Sequence, residues 1–187
     1  MVRGRVRTGL AVVAIAVGVF ATVGEATKDN RATKVGPNDT SIASASSSGT
    51  GVGAPPIFKV GDDVKLGDWI VKVHAVTDPL VSTNEFFKPK PGNRFLAVDT
   101  EVTNNTNKPQ TVSSLLCFEL QDDKNQSYDY ALTGEPDVKS PDGEVDPGGS
   151  RRGVLTYEVP LTAKDLKLRF KCELFSRGSA IISLTPG

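Results

Sequence analysis

From Phe58 to Leu184 apolar and polar residues alternate in short runs, broken by Gly, Pro, Asn and Asp. A period of two places every second side chain on one face of an extended strand. Asp63–Leu66 and Asp68–Thr77, split by Gly67, read as the first two strands, with Trp69, Val71, Val73 and Ala75 inward and Lys72 and His74 outward. Asn93–Asn104 carries the cleanest pattern: Leu96, Val98, Thr100 and Val102 face one way, Asp99 and Glu101 the other. Asn104-Asn105-Thr106-Asn107 then forms a polar turn. Leu115–Leu120 follows with Leu116, Phe118 and Leu120 inward, then Ser127–Tyr130. Arg152–Val159 turns Leu155, Tyr157 and Val159 inward. In Leu166–Leu174 the inward set is Leu166, Leu168, Phe170, Cys172 and Leu174, and Ser179–Leu184 closes the series. Seven to nine short strands with turn residues between them predict an all-β, antiparallel sandwich. Nothing convincing is helical after residue 26, apart from a short turn over Thr162–Asp165.

The N-terminus breaks this pattern. Arg3, Arg5 and Arg7 precede an uncharged, mostly apolar run from Gly9 to Gly24, closed by Glu25. Cationic, then apolar, then polar is the order of a secretory signal or a signal anchor. Its length borders on what a spanning helix needs, so two outcomes stand: a single-pass anchor with the C-terminal domain outside, or secretion after cleavage near Gly24-Glu25-Ala26. Both place the rest of the chain beyond the cytoplasm. Residues 27–56, including the run from Thr40 to Thr50 and then Gly51, Gly53, Pro55 and Pro56, hold too few large apolar groups to offset ordering entropy. They read as a disordered linker. The chain thus divides into an apolar segment at 1–26, a linker at 27–56 and one sandwich domain at 57–187.

Charge narrows the function classes. From Ile57 onward 16 Lys and Arg face 19 Asp and Glu. The cations Lys59, Lys65, Lys72, Lys164, Lys167, Arg169 and Lys171 are scattered, which disfavours a nucleic-acid footprint.

Several segments occur in a telling order: Phe58-Lys59-Val60-Gly61-Asp62 with Gly67-Asp68-Trp69, then Gly92-Asn93-Arg94-Phe95-Leu96-Ala97-Val98, Val102-Thr103-Asn104-Asn105-Thr106, Phe118-Glu119-Leu120, Asp146-Pro147-Gly148-Gly149-Ser150 and Asp165-Leu166-Lys167-Leu168. Together they resemble the bacterial telokin-like, immunoglobulin-like domain of unknown function 4352, and a secreted mycobacterial immunodominant antigen is similar in fold. The resemblance implies an antiparallel sandwich in an extracytoplasmic setting and carries over no catalytic residue or cofactor.

Candidate chemistry is sparse. The two cysteines are Cys117 and Cys172. An even count outside the cytoplasm favours a disulfide, worth about 4 kcal/mol for a loop of that span. Alternation opposes it, because Cys117 is out of phase with the inward Phe118 and Leu120; the pair either meets across an edge or bulge or leaves one thiol unpaired. His74 is the only histidine, which excludes a multi-histidine metal site. Asp142, Glu144 and Asp146 alternate in a loop and are candidate calcium ligands, although the spacing fails the helix-loop-helix pattern. Asp99 and Glu101 share a strand face as hydrolytic carboxylates do, but outward positions produce such pairs routinely. No Gly-x-Ser-x-Gly elbow occurs, and the Asn-x-Ser/Thr sites at Asn38, Asn104 and Asn125 are expected by chance.

The loop Asn84-Glu85-Phe86-Phe87-Lys88-Pro89-Lys90-Pro91 stands apart. Two adjacent aromatics, stiffened by prolines and flanked by cations, suit a contact tip on a rigid sandwich; alternatively one Phe folds back and plugs the end of the sandwich. Phe86, Phe87, Lys88 and Lys90 are therefore the candidate binding residues. The sequence supports a non-enzymatic, surface-anchored or secreted module that binds a protein or envelope component through end loops. The alternative is a small-ligand or calcium-binding domain. Neither reading calls for a cofactor or a nucleic acid.

Overall fold

The computed structural model describes residues 31–36, 55–82, 86–131, 139–172 and 178–185. The apolar run 9–24, most of the linker, Asn84, Glu85 and Leu174 lie outside them. Among the described residues no helix is long and apolar enough to cross a membrane.

Strands are labelled in chain order: β1 Thr33–Val35, β2 Ile57–Lys59, β3 Asp63–Leu66, β4 Trp69–Leu80, β5 Asn93–Asn104, β6 Gln110–Val112, β7 Phe118–Gln121, β8 Ser127–Tyr128, β9 Gly143–Val145, β10 Ser150–Pro160, β11 Lys167–Phe170 and β12 Ala180–Ser183. One helical turn, α1, spans Ser114–Cys117. The first sheet runs β1-β3-β4-β5-β10 and the second β2-β12-β11-β7-β8, with β6-β9 as a separate two-stranded ribbon. All pairs are antiparallel except β2 with β12. The expected immunoglobulin-like sandwich is the fold.

Its core lies between the sheets. Val71, Val73, Leu96, Val98, Val102, Leu155, Tyr157 and Val159 come from the first, and Phe118, Leu120, Leu168, Phe170 and Ile182 from the second, all buried. Each such side chain contributes roughly 1.5–3 kcal/mol, so alternation over these strands suffices to set the two layers. The register aligns Val71 with Val102, and Leu155 with Val98, so the apolar rows stack.

Four expectations are corrected. In β4 the register passes from Val73 opposite Thr100 to Ala75 opposite Asp99, leaving His74 as an extra residue. That bulge reverses the phase, so Ala75 is exposed and Val76 packs against the core. Leu115–Leu120 is not one strand: the chain first makes α1, which leaves Leu115 and Leu116 about three-quarters exposed, at 73% and 74%. Leu116 is therefore not an inward residue. Asp142 stabilises this turn from across the fold, its carboxylate accepting from the Ser114 N–H and satisfying one orphan donor of the helix start. Thr162–Asp165 is a turn and bend rather than a helix, with the Ala163 N–H donating to Pro160 O.

The fourth concerns the linker. Thr33–Val35 pairs in register with Lys65–Asp63, Ala32 is buried, and Lys34 Nζ lies 2.5 Å from Asp62 Oδ1. A strand thus begins a few residues after the apolar run and forms the edge of the first sheet.

The opposite edge, β10, is also covered. Tyr130 bridges Tyr157, the Ala131 N–H donates to Thr156 O, and the Val154 N–H donates to Lys139 O. This approach requires Gly153, where a Cβ would fall 2.4 Å from Pro141 N and 2.5 Å from Lys139 O.

Candidate functional site

The two longest strands, β4 and β5, meet at the candidate loop. Its base is braced by ionic hydrogen bonds. Arg94 donates from Nε and Nη2 to the two carboxylate oxygens of Asp78, at 2.6 and 3.0 Å. The same guanidinium reaches Pro160 O from Nη1 at 2.5 Å and Ala163 O from Nη2 at 3.2 Å. One side chain therefore ties β4, β5, the end of β10 and the turn beyond it, and the Asp78 hydrogen bond raises the already high Arg94 pKa. Opposite, Glu158 Oε1 accepts from Lys90 N and Asn93 Nδ2, both at 2.8 Å. The Asn93 bond, aided by Lys90 and outweighing partial burial, holds the Glu158 carboxyl below its usual range. Gly92, at φ 87°, makes the tight return that a residue with a side chain would resist.

On this base stands an apolar tip. Phe86 is 95% exposed and Phe87 38%, and Lys88 and Lys90 are exposed beside them. Val81 at the start of the loop is exposed, as is Leu161, whose N–H donates to Gly92 O. Phe86 does not fill the end of the sandwich. Below the tip a cavity of about 450 Å³ has Val76, Leu96, Leu166 and Leu184 in its wall and Arg94 and Lys164 among its polar residues.

The remaining candidates lie elsewhere. Cys117 and Cys172 are disulfide-bonded, with Cα atoms 4.2 Å apart. The α1 turn removes the phase conflict: it rotates Cys117 into the interior immediately before β7, and the Lys171 N–H donates to Cys117 O. Asp142, Glu144 and Asp146 do not converge. Asp142 accepts from Ser114 N and Ser140 Oγ, Glu144 points outward from β9, and Asp146 sits in a turn closed by the Gly149 N–H on its carbonyl. Among the described residues no cluster of three or more histidine, cysteine or acidic side chains is placed to hold a metal ion. Asp99 receives a bidentate contact from Arg152, and Glu101 lies 2.8 Å from His74 Nε2. Both carboxylates are thus occupied by cross-strand partners on the outer face of the first sheet. Arg94, which organises the loop base, has no sequence signal: its strand position gives no hint of partners 16 and 66 residues away.

Fold and loop geometry define a β-sandwich domain with a braced end loop. The chain belongs to the family of domain of unknown function 4352 (DUF4352), whose profile matches residues 58–181. Among solved structures, the yjhA protein of Bacillus subtilis is similar at TM-score 0.55 and 19% identity, over 69% of this chain and 100% of that one. The ycdA protein of Bacillus subtilis is similar at TM-score 0.52 and 19% identity, over 62% of this chain and 35% of that one. The secreted protein MPT63 of Mycobacterium tuberculosis is more distant, at TM-score 0.44 and 12% identity over 63% and 82% of the two chains. At these identities the likeness concerns fold alone. No curated protein matches the sequence.

Proposed function

We propose that this chain is a non-enzymatic, extracytoplasmic interaction module that binds a protein or envelope component through the loops at the β4–β5 end of the sandwich. One observation carries the reading: Phe86, almost fully exposed, stands on a loop whose base is fixed by Arg94, Asp78 and Glu158. Exposing a large aromatic costs solvation energy, and a rigid base reduces the ordering entropy a partner must offset. The extracytoplasmic setting is supported by the cationic-then-apolar N-terminal sequence and by this chain's likeness in fold to a protein provisionally named a lipoprotein. The non-enzymatic reading is supported by the occupation of His74, Asp99 and Glu101 in structural pairs.

The test is cross-linking of neighbours in intact cells, with quantitative comparison of wild type against Phe86→Ser and Phe87→Ser. The reading expects loss of the same captured species by at least tenfold in both variants, with Tm of Phe86→Ser within about 2 °C of wild type, as befits a surface change. An unchanged capture profile would overturn it. A second reading, a small-ligand domain, draws on the cavity beneath the tip, where Val76, Leu96, Leu166 and Leu184 stand beside the charged Asp78, Arg94, Lys164 and Asp165, a mixed lining that suits a small amphiphile. Calorimetric titration that yields no heat and no melting shift would count against that alternative.

A further inference from the structure

Four of the cations that look scattered along the sequence, Lys59, Lys167, Arg169 and Lys171, lie on or beside one face of the second sheet. Lys167 and Arg169 alternate outward along β11, and Lys171 follows in the same phase, which spaces neighbours by about 6.6 Å. In register, Lys167 is flanked by Gln121 and Ser183, and Ser183 by Lys59, so that row holds cations and no acid. Arg169 is flanked by Ile181 and Glu119. Glu119 accepts from Ser127 Oγ and lies 3.9 Å from Arg169 Nε, a loose ion pair. The outer face of the first sheet differs: Lys72 pairs with Asp63, His74 with Glu101 and Arg152 with Asp99.

The cationic stripe also has exposed aliphatic neighbours. Leu115 and Leu116, held outward by α1, share a groove of about 560 Å³ with Arg169 and Lys171. Glu119 and Asp129 are its acids. On the other flank Ile57 is 56% exposed and sits opposite Ile181.

We propose that the outer face of the β2-β12-β11-β7-β8 sheet docks on an anionic lipid bilayer. Lys59, Lys167, Arg169 and Lys171 would meet headgroup phosphates, and Leu115, Leu116 and Ile57 would enter the acyl boundary. Cations near an anionic leaflet attract it over about a Debye length, and aliphatic side chains add burial that a soluble polyanion does not offer. The apolar segment Gly9–Gly24 lies just upstream of β1 in the sequence and would bring a bilayer within reach. This surface is separate from the Phe86 tip, so the two proposals stand or fall independently.

Lysine acetylation footprinting of the full chain tests the idea, with Lys65 and Lys72 of the first sheet as internal controls. The full chain is mixed with vesicles of phosphatidylglycerol or of phosphatidylcholine, so that any insertion of the apolar segment is common to both. Phosphatidylglycerol should slow acetylation of Lys167 and Lys171 at least threefold relative to phosphatidylcholine, leaving Lys65 and Lys72 unchanged. Leu115→Ser with Leu116→Ser should reduce that protection at least twofold, as should Arg169→Gln, with the far-ultraviolet spectrum and Tm confirming that each variant folds. Equal rates in both vesicle types overturn the proposal, as does protection of Lys65 and Lys72. Soluble polyphosphate protecting Lys167 and Lys171 as strongly as vesicles, without regard to Leu115 and Leu116, also overturns it in favour of a polyanion site.

Discussion

Asn104, the last residue of β5, has no solvent exposure yet satisfies its whole side chain. Its Nδ2 donates to Lys108 O at 2.7 Å and Val145 O at 2.9 Å, and its Oδ1 accepts from Thr106 N at 3.0 Å and Thr106 Oγ1 at 2.7 Å. The backbone joins in: the Asn104 N–H donates to Gly149 O, and Asn104 O accepts from Gly148. One amide therefore fastens the turn after β5 to β9 and to the loop before β10. Asn104→Ala strands these buried groups, and each lost bond of this kind costs roughly 1–3 kcal/mol. Urea unfolding should show a loss of about 2–4 kcal/mol with the m-value unchanged, whereas Asn105→Ala, in an exposed position, should stay within about 0.5 kcal/mol of wild type. In the sequence Asn104 belongs to a run of turn formers and looks no different from Asn105 or Asn107. What separates them is burial against Val145, a contact 41 residues away.

Among the elements, α1 shows how a few residues reset a pattern. The turn at Ser114–Cys117 breaks the alternation that otherwise predicts one strand through Leu120, and so brings Cys117 to Cys172. Closing a loop between residues 55 apart restricts the unfolded chain, typically by 2–4 kcal/mol. The Cys117→Ser/Cys172→Ser double variant should lose about that much, read as the fall in urea midpoint, and reductant should shift wild type toward the same midpoint. Insensitivity of wild type to reductant would mean that the bridge contributes nothing. The long strands were legible because stretches of β4, β5 and β10 repeat a period of two, as from Trp69 to Val73 and from Thr100 to Asn104. Three-residue strands such as β1, β6 and β9 carry too little period to be seen, and their pairing is set by partners distant in sequence. At the candidate site, the aromatic-lysine loop is legible as composition; its brace is not, since Arg94, Asp78 and Glu158 meet only once the sheets have formed. The bulge at His74 likewise lies below the resolution of alternation, because one extra residue inverts everything after it.

For the whole molecule, paired carboxylates give stability a pH dependence with a definite sign. The hydrogen bond from Lys34 lowers the Asp62 pKa, and that from Arg152 lowers Asp99. Burial pushes Asp142 up, but its bonds from Ser140 and Ser114 prevail and lower it. Such groups bind fewer protons in the folded than in the unfolded state. Their stabilisation is therefore complete above the unfolded value near pH 4 and is lost as pH falls through the depressed native values. Tm should be level from about pH 5 to 8 and fall below about pH 4; a flat profile down to pH 2.5 would contradict these pairs. At the alkaline end the sign reverses. Burial, with the Asp122 hydrogen bond, pushes Tyr128 up to about 12, and burial raises buried Tyr157 as well. These phenols stay protonated longest when folded, so stability declines once pH passes about 10.

The docking of β1 also fixes a length. Between Gly24, where the apolar run ends, and Thr33, where β1 begins, stand eight residues. Drawn straight, such a leash reaches about 28 Å. If Gly9–Gly24 is retained in lipid, the domain cannot stand off at the far end of a thirty-residue stalk; it must ride low, within that reach of the headgroups.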